Sequence, residues 1–283
     1  MTTEYSGSGD LSRSLALLWD MGERSPRGPK PTLTVARVVT AAVAVADAEG
    51  LTALSMRRVA AELGVGTMSL YRYVPGKAEL LDLMLDKVIE PREEFDPPES
   101  LGWRRVVEIM ARGAWELYLA HPWLVQVDQV RSLLGPNALI GVEFIMRGLG
   151  RSGLTDQQKV SVMVIVDGFV TGIARTHINS MQAEQRTGVS NDDFWAAQYP
   201  VLEKAMGSGR YPTLAQLSPD AFDVGFEAVF DFGLERLLDG LEAYVANLPA
   251  DSGEGGVASC AADAADGAGV AADPADGAEA QAE

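Results

Sequence analysis

The sequence predicts an all-α protein, with an N-terminal three-helix helix-turn-helix module and a longer C-terminal helical half. Two observations carry this. From Thr34 onward apolar residues recur three and four positions apart, the period of a helix and not of a strand. Two short segments of this kind, Met56–Leu63 and Thr67–Tyr73, are joined across Gly64 with room only for a tight turn. Composition agrees with a sizeable core: 47% of the 283 residues are hydrophobic and 22% are charged.

Residues 1–32 carry Gly, Ser and Pro and end in the basic string Arg27-Gly-Pro-Lys-Pro31, so a mostly flexible arm is expected, with one helical turn around Leu15–Trp19. The first core helix then spans Val35–Glu49. Thr34 is its cap, Leu33 and Val38 form a hydrophobic staple, and Gly50 closes it. Ser55 caps the next helix by accepting from the backbone N–H of Arg57 or Arg58, with Leu54 and Val59 as the staple. Val59, Ala60 and Leu63 face inward, and Gly64 supplies the left-handed turn that stops the helix. The second helix of the pair starts at Thr67 behind the weaker cap Gly66 and points Leu70 inward. A fourth helix runs from Gly76-Lys77 to just before Pro91.

Three prolines in Pro91–Glu99 mark a boundary. Beyond it helices are expected at about 101–120, 136–151, 155–181, 191–206 and 219–247, separated by glycines and prolines. The last 35 residues hold Ala, Gly and Asp but no aromatic side chain, too little apolar area to offset ordering entropy, so a disordered acidic tail is expected. The organisation is therefore arm 1–32, helix-turn-helix domain 33–90, helical domain 91–248 and tail 249–283.

The formal net charge of −17 argues at first against a polyanionic partner. Its distribution argues otherwise. Eight acids and no Lys or Arg lie in residues 249–283, whereas Arg24–Lys77 holds eight basic residues against three acids. One end of the chain is thus suited to a polyanion. The single cysteine, Cys260, lies in the tail, which excludes a disulfide framework and suits a reducing cytoplasm. The N-terminus lacks the pattern of a secretory signal, and apolar runs such as Val160–Val166 fall far short of a membrane span of ~18 residues, so no membrane partner is expected. No GxSxG, Walker, dinucleotide-binding or HExxH pattern occurs, and an enzyme is not expected.

The segment Leu54-SMRRVAAELGVGTMSLYRYVPGKAEL-Leu81 is the informative one. With the small helix closed by Gly50, the Val59-Ala60-x-x-Leu63-Gly64-Val65 core, the Leu70-Tyr71 pair and Lys77 before an apolar helix, Leu33–Glu90 resembles the DNA-binding region of the TetR family. The LYRYV-x-GKAELL version is similar to the branch containing the tetracycline repressor. Gly66 departs from the polar cap frequent there.

The resemblance implies a homodimeric transcriptional regulator, most simply a repressor, released from a palindromic double-stranded DNA operator by a small hydrophobic effector. Thr67, Met68 and Ser69 would then face base edges, Met68 offering only apolar contact, as to a thymine methyl. Tyr71 and Tyr73 would meet phosphate or groove through their hydroxyls, or else pack half-buried. Arg57 and Arg72 suit phosphate or guanine, or a solvated surface. Ser55 would serve as cap and phosphate ligand, and Lys77 would meet a phosphate at the start of its helix. The Arg27–Pro31 string reads equally as a minor-groove arm or a basic linker.

In such a regulator the two long C-terminal helices pair with their copies in a second subunit. Glycines at 168, 172, 225, 233 and 240 would allow close approach, or the same face would close the domain's own core. Candidate ligand-binding residues are Trp103, Met110, Trp115, His121, Phe144, Met163 and Asp167, alongside Trp123 and Phe169; plain core packing is the alternative for each. Asp167 and Arg175 offer polar anchors or a seam pair. His121 falls near a metal-linked histidine of the tetracycline repressor, but no carboxylate–histidine spacing accompanies it, so neither metal nor cofactor is expected. A purely architectural DNA binder is the rival reading, distinguished by whether residues 101–248 hold a ligand-sized cavity.

Overall fold

The first core helix forms where the caps say it should. The computed structural model describes residues 4–20, 33–91, 98–129, 131–218 and 220–249. Helix α2 spans Val35–Glu49, its cap Thr34 accepting from the N–H of Arg37 at 3.2 Å. Helix α3 spans Met56–Glu62, and Ser55 Oγ accepts from the N–H of Arg58 at 3.2 Å. Gly64 then takes φ +67°, the left-handed turn between the pair. Helix α4, Thr67–Leu70, is shorter than its spacing predicts, because Tyr73 and Val74 both turn back to bond the carbonyl of Leu70. Helix α5 spans Lys77–Val88. Val38, Val59, Leu70, Val74, Leu80 and Met84 meet in the centre with essentially no exposure.

The N-terminal segment departs from expectation. Residues 4–18 are ordered: strand β1 (Glu4–Tyr5) and helix α1 (Leu11–Leu18), capped by Asp10. Eight residues cannot hold a helix alone in water. What holds this one is α5, whose Glu79 and Asp82 lie three residues apart, are both buried, and accept from the Gly7 and Asp10 N–H groups and the Ser6 and Ser14 hydroxyls. The Arg27–Pro31 string and the acidic tail fall outside the described residues.

The C-terminal half comprises α6 (Pro98–Leu101), α7 (Trp103–Ala120), α8 (Pro136–Gly148), α9 (Asp156–Thr187), α10 (Asn191–Gly207) and α11 (Phe226–Ala246), with strand β2 (Val127–Asp128) pairing in parallel with β1. Two bounds differ from the periodicity. Helix α9 continues past Met181 as an exposed polar helix until Gly188, at φ +70°, stops it. Helix α11 begins at Phe226 because Phe222, counted in its apolar pattern, stands 82% exposed in a turn.

Helix α9 buries Val162, Val166, Val170, Ala174 and Ile178, one residue in four, against α7 and α11. By length and composition alone α9 could also cross a membrane, since an 18-residue window of it has mean hydropathy 1.3. Counting uninterrupted runs misses this because Asp167 and Arg175 break them. The buried stripe of α9 nevertheless packs against α7 and α11. Where α11 crosses α9, Gly233 admits the Phe169 ring; a Cβ there would lie 2.6 Å from it. Gly168, Gly172, Gly225 and Gly240 have nothing within 4 Å of a Cβ, so within one chain only Gly233 of the five serves close approach.

Candidate nucleic-acid interface

Helix α4 keeps one side for the core and the other for solvent. Leu70 is fully buried, while Met68 is 78% exposed, Tyr71 is exposed, and Thr67, Ser69 and Tyr73 are half-buried. A methionine held that far out on a short helix gains nothing from the fold.

The cations around it divide into two kinds. Arg58 is held by Glu49 (2.6 Å) and Glu62 (2.9 Å), and these carboxylates push its pKa up while Arg58 pulls Glu49 down. Arg57 and Arg72 are exposed and have no ionic partner among the described residues. Ser55 is exposed and already serves as a cap. Lys77 differs from expectation: its Nζ donates to Glu4 Oε1 at 2.8 Å. The structure thus brings Ser55, Arg57, Thr67, Met68, Ser69, Tyr71, Arg72 and Tyr73 onto the two-helix unit, with Lys77 engaged from the N-terminal side.

Two links join this unit to the helical half and a third joins it to the N-terminal segment, and none of them was expected from the sequence alone. Asp47, on α2, accepts through one oxygen from His121 Nδ1 (2.8 Å) and Trp123 Nε1 (2.7 Å). Asp86, on α5, accepts from the backbone N–H of Asn137 and Ala138 and from the Asn137 amide, so it caps α8. Gly135 permits this approach, since a Cβ there would sit 2.3 Å from Asp86 Oδ1. Asp82 accepts from Ser6 Oγ, the Gly7 N–H and Ser14 Oγ. The available signal was α5 itself, apolar all round except for acids at one face's spacing.

The ligand candidates are not gathered into one chamber. Trp115 stacks on Phe230 (centroids 4.6 Å) and His177 (5.6 Å), and Phe169 stacks on Phe230 (5.9 Å). Met110, Phe144 and Met163 are half-buried against the same core. Trp103 lines a surface hollow of about 300 Å³ with Leu101, Gly102, Arg104, Arg105 and Glu108, apart from the other six. His121 ends α7 and turns to Asp47, a link between the two halves. Asp167 and Arg175 make no pair with each other. Both influence Tyr118, whose hydroxyl bonds Thr171 at 2.9 Å and whose pKa burial raises. Surrounding protein also pushes the Asp167 carboxyl up, although solvent still reaches it. Among the described residues no group of three His, Cys, Asp or Glu could hold a metal ion.

Against known proteins, residues 38–84 match the family model described as "Bacterial regulatory proteins, tetR family", and residues 96–245 match "Tetracyclin repressor-like, C-terminal domain". The HTH-type transcriptional repressor DrrR1 of Streptomyces coeruleorubidus is 56% identical over 251 residues, covering 89% of this chain and 93% of its own. An HTH-type transcriptional regulator of Saccharopolyspora erythraea is 31% identical over 80% of this chain and 91% of its own. Among solved structures, ActR of Streptomyces coelicolor in complex with actinorhodin is 33% identical, with a TM-score of 0.61 over 75% of this chain and 97% of that one.

Proposed function

The chain belongs to the TetR family of bacterial regulatory proteins, a family of transcriptional regulators and not enzymes, and we propose that it works as a homodimeric repressor released from a palindromic operator by a small hydrophobic ligand. The observation that carries the DNA contacts is the outward face of α4. Thr67, Met68 and Ser69 read base edges there; Tyr71, Arg72, Tyr73, Arg57, Ser55 and Lys77 hold the phosphates on either side. A short helix reads too few bases to specify a site alone, which is what a second copy supplies.

Helices α9, α10 and α11 support that second copy. Val160, Val164 and Ile165 on α9, Phe194, Trp195 and Tyr199 on α10, and Phe232 and Tyr244 on α11 are all exposed, and α10 buries no residue of its own. Large apolar side chains left uncovered at this density on adjoining helices mark an interface. Asp167 and Arg175 lie along the same helix and would stand at that seam or at a ligand's polar edge.

For the ligand, the support is the relative crystallised with actinorhodin, together with the stacked Trp115, His177, Phe230 and Phe169 and the tilted Phe226 beside them, a cluster whose faces would accept a flat aromatic guest. The filled state of that stack favours the architectural alternative, in which the helical half only dimerises. Anisotropy of the purified protein on DNA from upstream of its own gene, against a scrambled duplex, tests both. Selective binding lost in Tyr73→Ala/Lys77→Ala and reversed by a polycyclic aromatic supports the regulator. Selective binding that no such compound reverses supports the architectural protein. Equal binding to both duplexes refutes sequence-specific repression through this DNA. Light scattering reads the dimer directly.

A further inference from the structure

Among the described residues, Lys77 is the one cation proposed as a phosphate contact that a carboxylate of the chain already occupies. Glu4 Oε1 accepts from its Nζ at 2.8 Å, both side chains remaining about one-third exposed (34% and 37%). Glu4 is brought there by a strap with its own fastenings. Asp82, itself buried, takes the Gly7 N–H at 2.8 Å, Ser6 Oγ at 3.1 Å and Ser14 Oγ at 2.8 Å. Glu79 Oε1 takes the Asp10 N–H at 3.1 Å. On its other side the strap is tied to the helical half: Glu4–Tyr5 pairs in parallel with Val127–Asp128, the Ser6 N–H donates to the Asp128 carbonyl, and Trp19 Nε1 donates to the Leu134 carbonyl at 3.2 Å. The segment that holds Lys77 is therefore anchored both on α5 and on the loop running from α7 to α8.

We propose that Glu4–Trp19 is an internal competitor of the operator, in which the Glu4 carboxylate occupies the Lys77 ammonium in place of a DNA phosphate and the strap ties that occupancy to the position of the 127–134 loop. The proposal rests on Lys77 being a phosphate contact, as inferred above. A carboxylate and a phosphate oxygen ask the same thing of an ammonium, so one must leave for the other to bind. The competition is blind to sequence, because phosphate contacts carry none. With β1 bonded to β2, a shift of the helical half that moved the 127–134 loop would move Glu4 with it.

The test is a set of full-length variants measured by anisotropy on operator and scrambled duplexes across a salt series. Glu4→Gln removes the charge and keeps the strand. Gly7→Val loosens the strap without touching either charge, since φ there is +67° and a Cβ would crowd the Arg131 carbonyl and Leu11 at 3.4 Å. The expected result is that Glu4→Gln binds both duplexes about 2–5-fold tighter, with log K falling more steeply in log salt by about one. Gly7→Val should follow it in affinity. Lys77→Ala should cost more in the Glu4→Gln background than in the wild type. Hydrogen exchange of α5 confirms that each variant is folded. If Glu4→Gln binds like the wild type with the same salt slope, and Lys77→Ala costs the same in both backgrounds, the competitor is refuted while the DNA contact stands. If Lys77→Ala costs nothing in either background, or no variant binds DNA, the phosphate reading fails and the competitor with it.

Discussion

Removing the carboxylate of Asp47 should loosen the chain more than its place on a partly exposed helix end suggests. One of its oxygens takes two donors from the other half of the molecule, His121 Nδ1 at 2.8 Å and Trp123 Nε1 at 2.7 Å. Trp123 is 1% exposed and His121 is 9% exposed, so in Asp47→Ala the indole N–H has little access to replacement water. A hydrogen bond to a charged group contributes about 1.5–3 kcal/mol, and a buried donor left unpaired costs about 1–3 kcal/mol. Since the Asp47 side chain is itself about one-third exposed (32%), the lower ends apply, and the pair together should cost about 2–3 kcal/mol. For a domain of this size that is a fall in Tm of about 4–12 °C. Trp123→Phe deletes one donor, so a double-mutant cycle with Asp47→Ala should show about 1 kcal/mol of coupling. Circular dichroism melts of the four proteins are sufficient. If Asp47→Ala melts within a degree of the wild type, the link carries no stability and the two halves are held by packing alone.

Gly233→Ala would place a Cβ 2.6 Å from the Phe169 ring and should cost about 1–3 kcal/mol by overpacking, read as a lower melting temperature. Arg57→Ala should leave the melt unchanged, weaken operator and scrambled DNA alike, and reduce the salt slope by about one. Stability against pH should show two opposing regions. Asp167 has a raised pKa in the fold, so its ionisation is disfavoured there; the protein gains as pH falls through that raised value towards the ordinary 3.8, and Asp167→Asn should remove the gain. Glu99 and Glu108 are held below 4.5, chiefly by bonds from Arg147 and Arg112, so what they contribute is present above 4.5 and is lost as pH falls through their folded values. Melting temperature should therefore hold or rise slightly as pH falls towards about 4.5 and drop below it; a decline beginning at about pH 6 would contradict this.

The DNA-binding unit was legible because its signals are local. Thr34, Ser55 and Gly64 each satisfy or redirect backbone within three or four residues, and such chemistry is written in adjacent letters. The long helices were legible in kind and less so in extent, since the polar turns Gln182–Thr187 carry no apolar period to extend α9. The strap was not legible. Its eight-residue helix has no stability of its own, and the buried acids that hold it lie some seventy residues away in sequence. The expected ligand set failed to gather for a related reason: aromatics at helical spacing announce that a side chain points inward, not which neighbours it meets. His121 stands out by its chemistry, yet its partner Asp47 sits on the helix closed by Gly50, where only the fold could bring it.

The three links have a common form that bears on how the molecule could switch. Asp47, Asp82 and Asp86 each stand on the DNA-binding unit and each accept from donors belonging to residues outside it. Two of the three reach the stretch from His121 to Ala138, the third reaches the strap, and the strap in turn pairs with Val127–Asp128. These three ties thus run, directly or through one strand, to the connection between α7 and α8. A ligand acting on the DNA-binding unit through these ties must favour a different position of that connection, by as much free energy as it binds one position better than the other. If the proposed ligand wedged α7 away from α9 at the Trp115 stack, the displacement would act on the chain that ends in His121, and that histidine would pass it to Asp47.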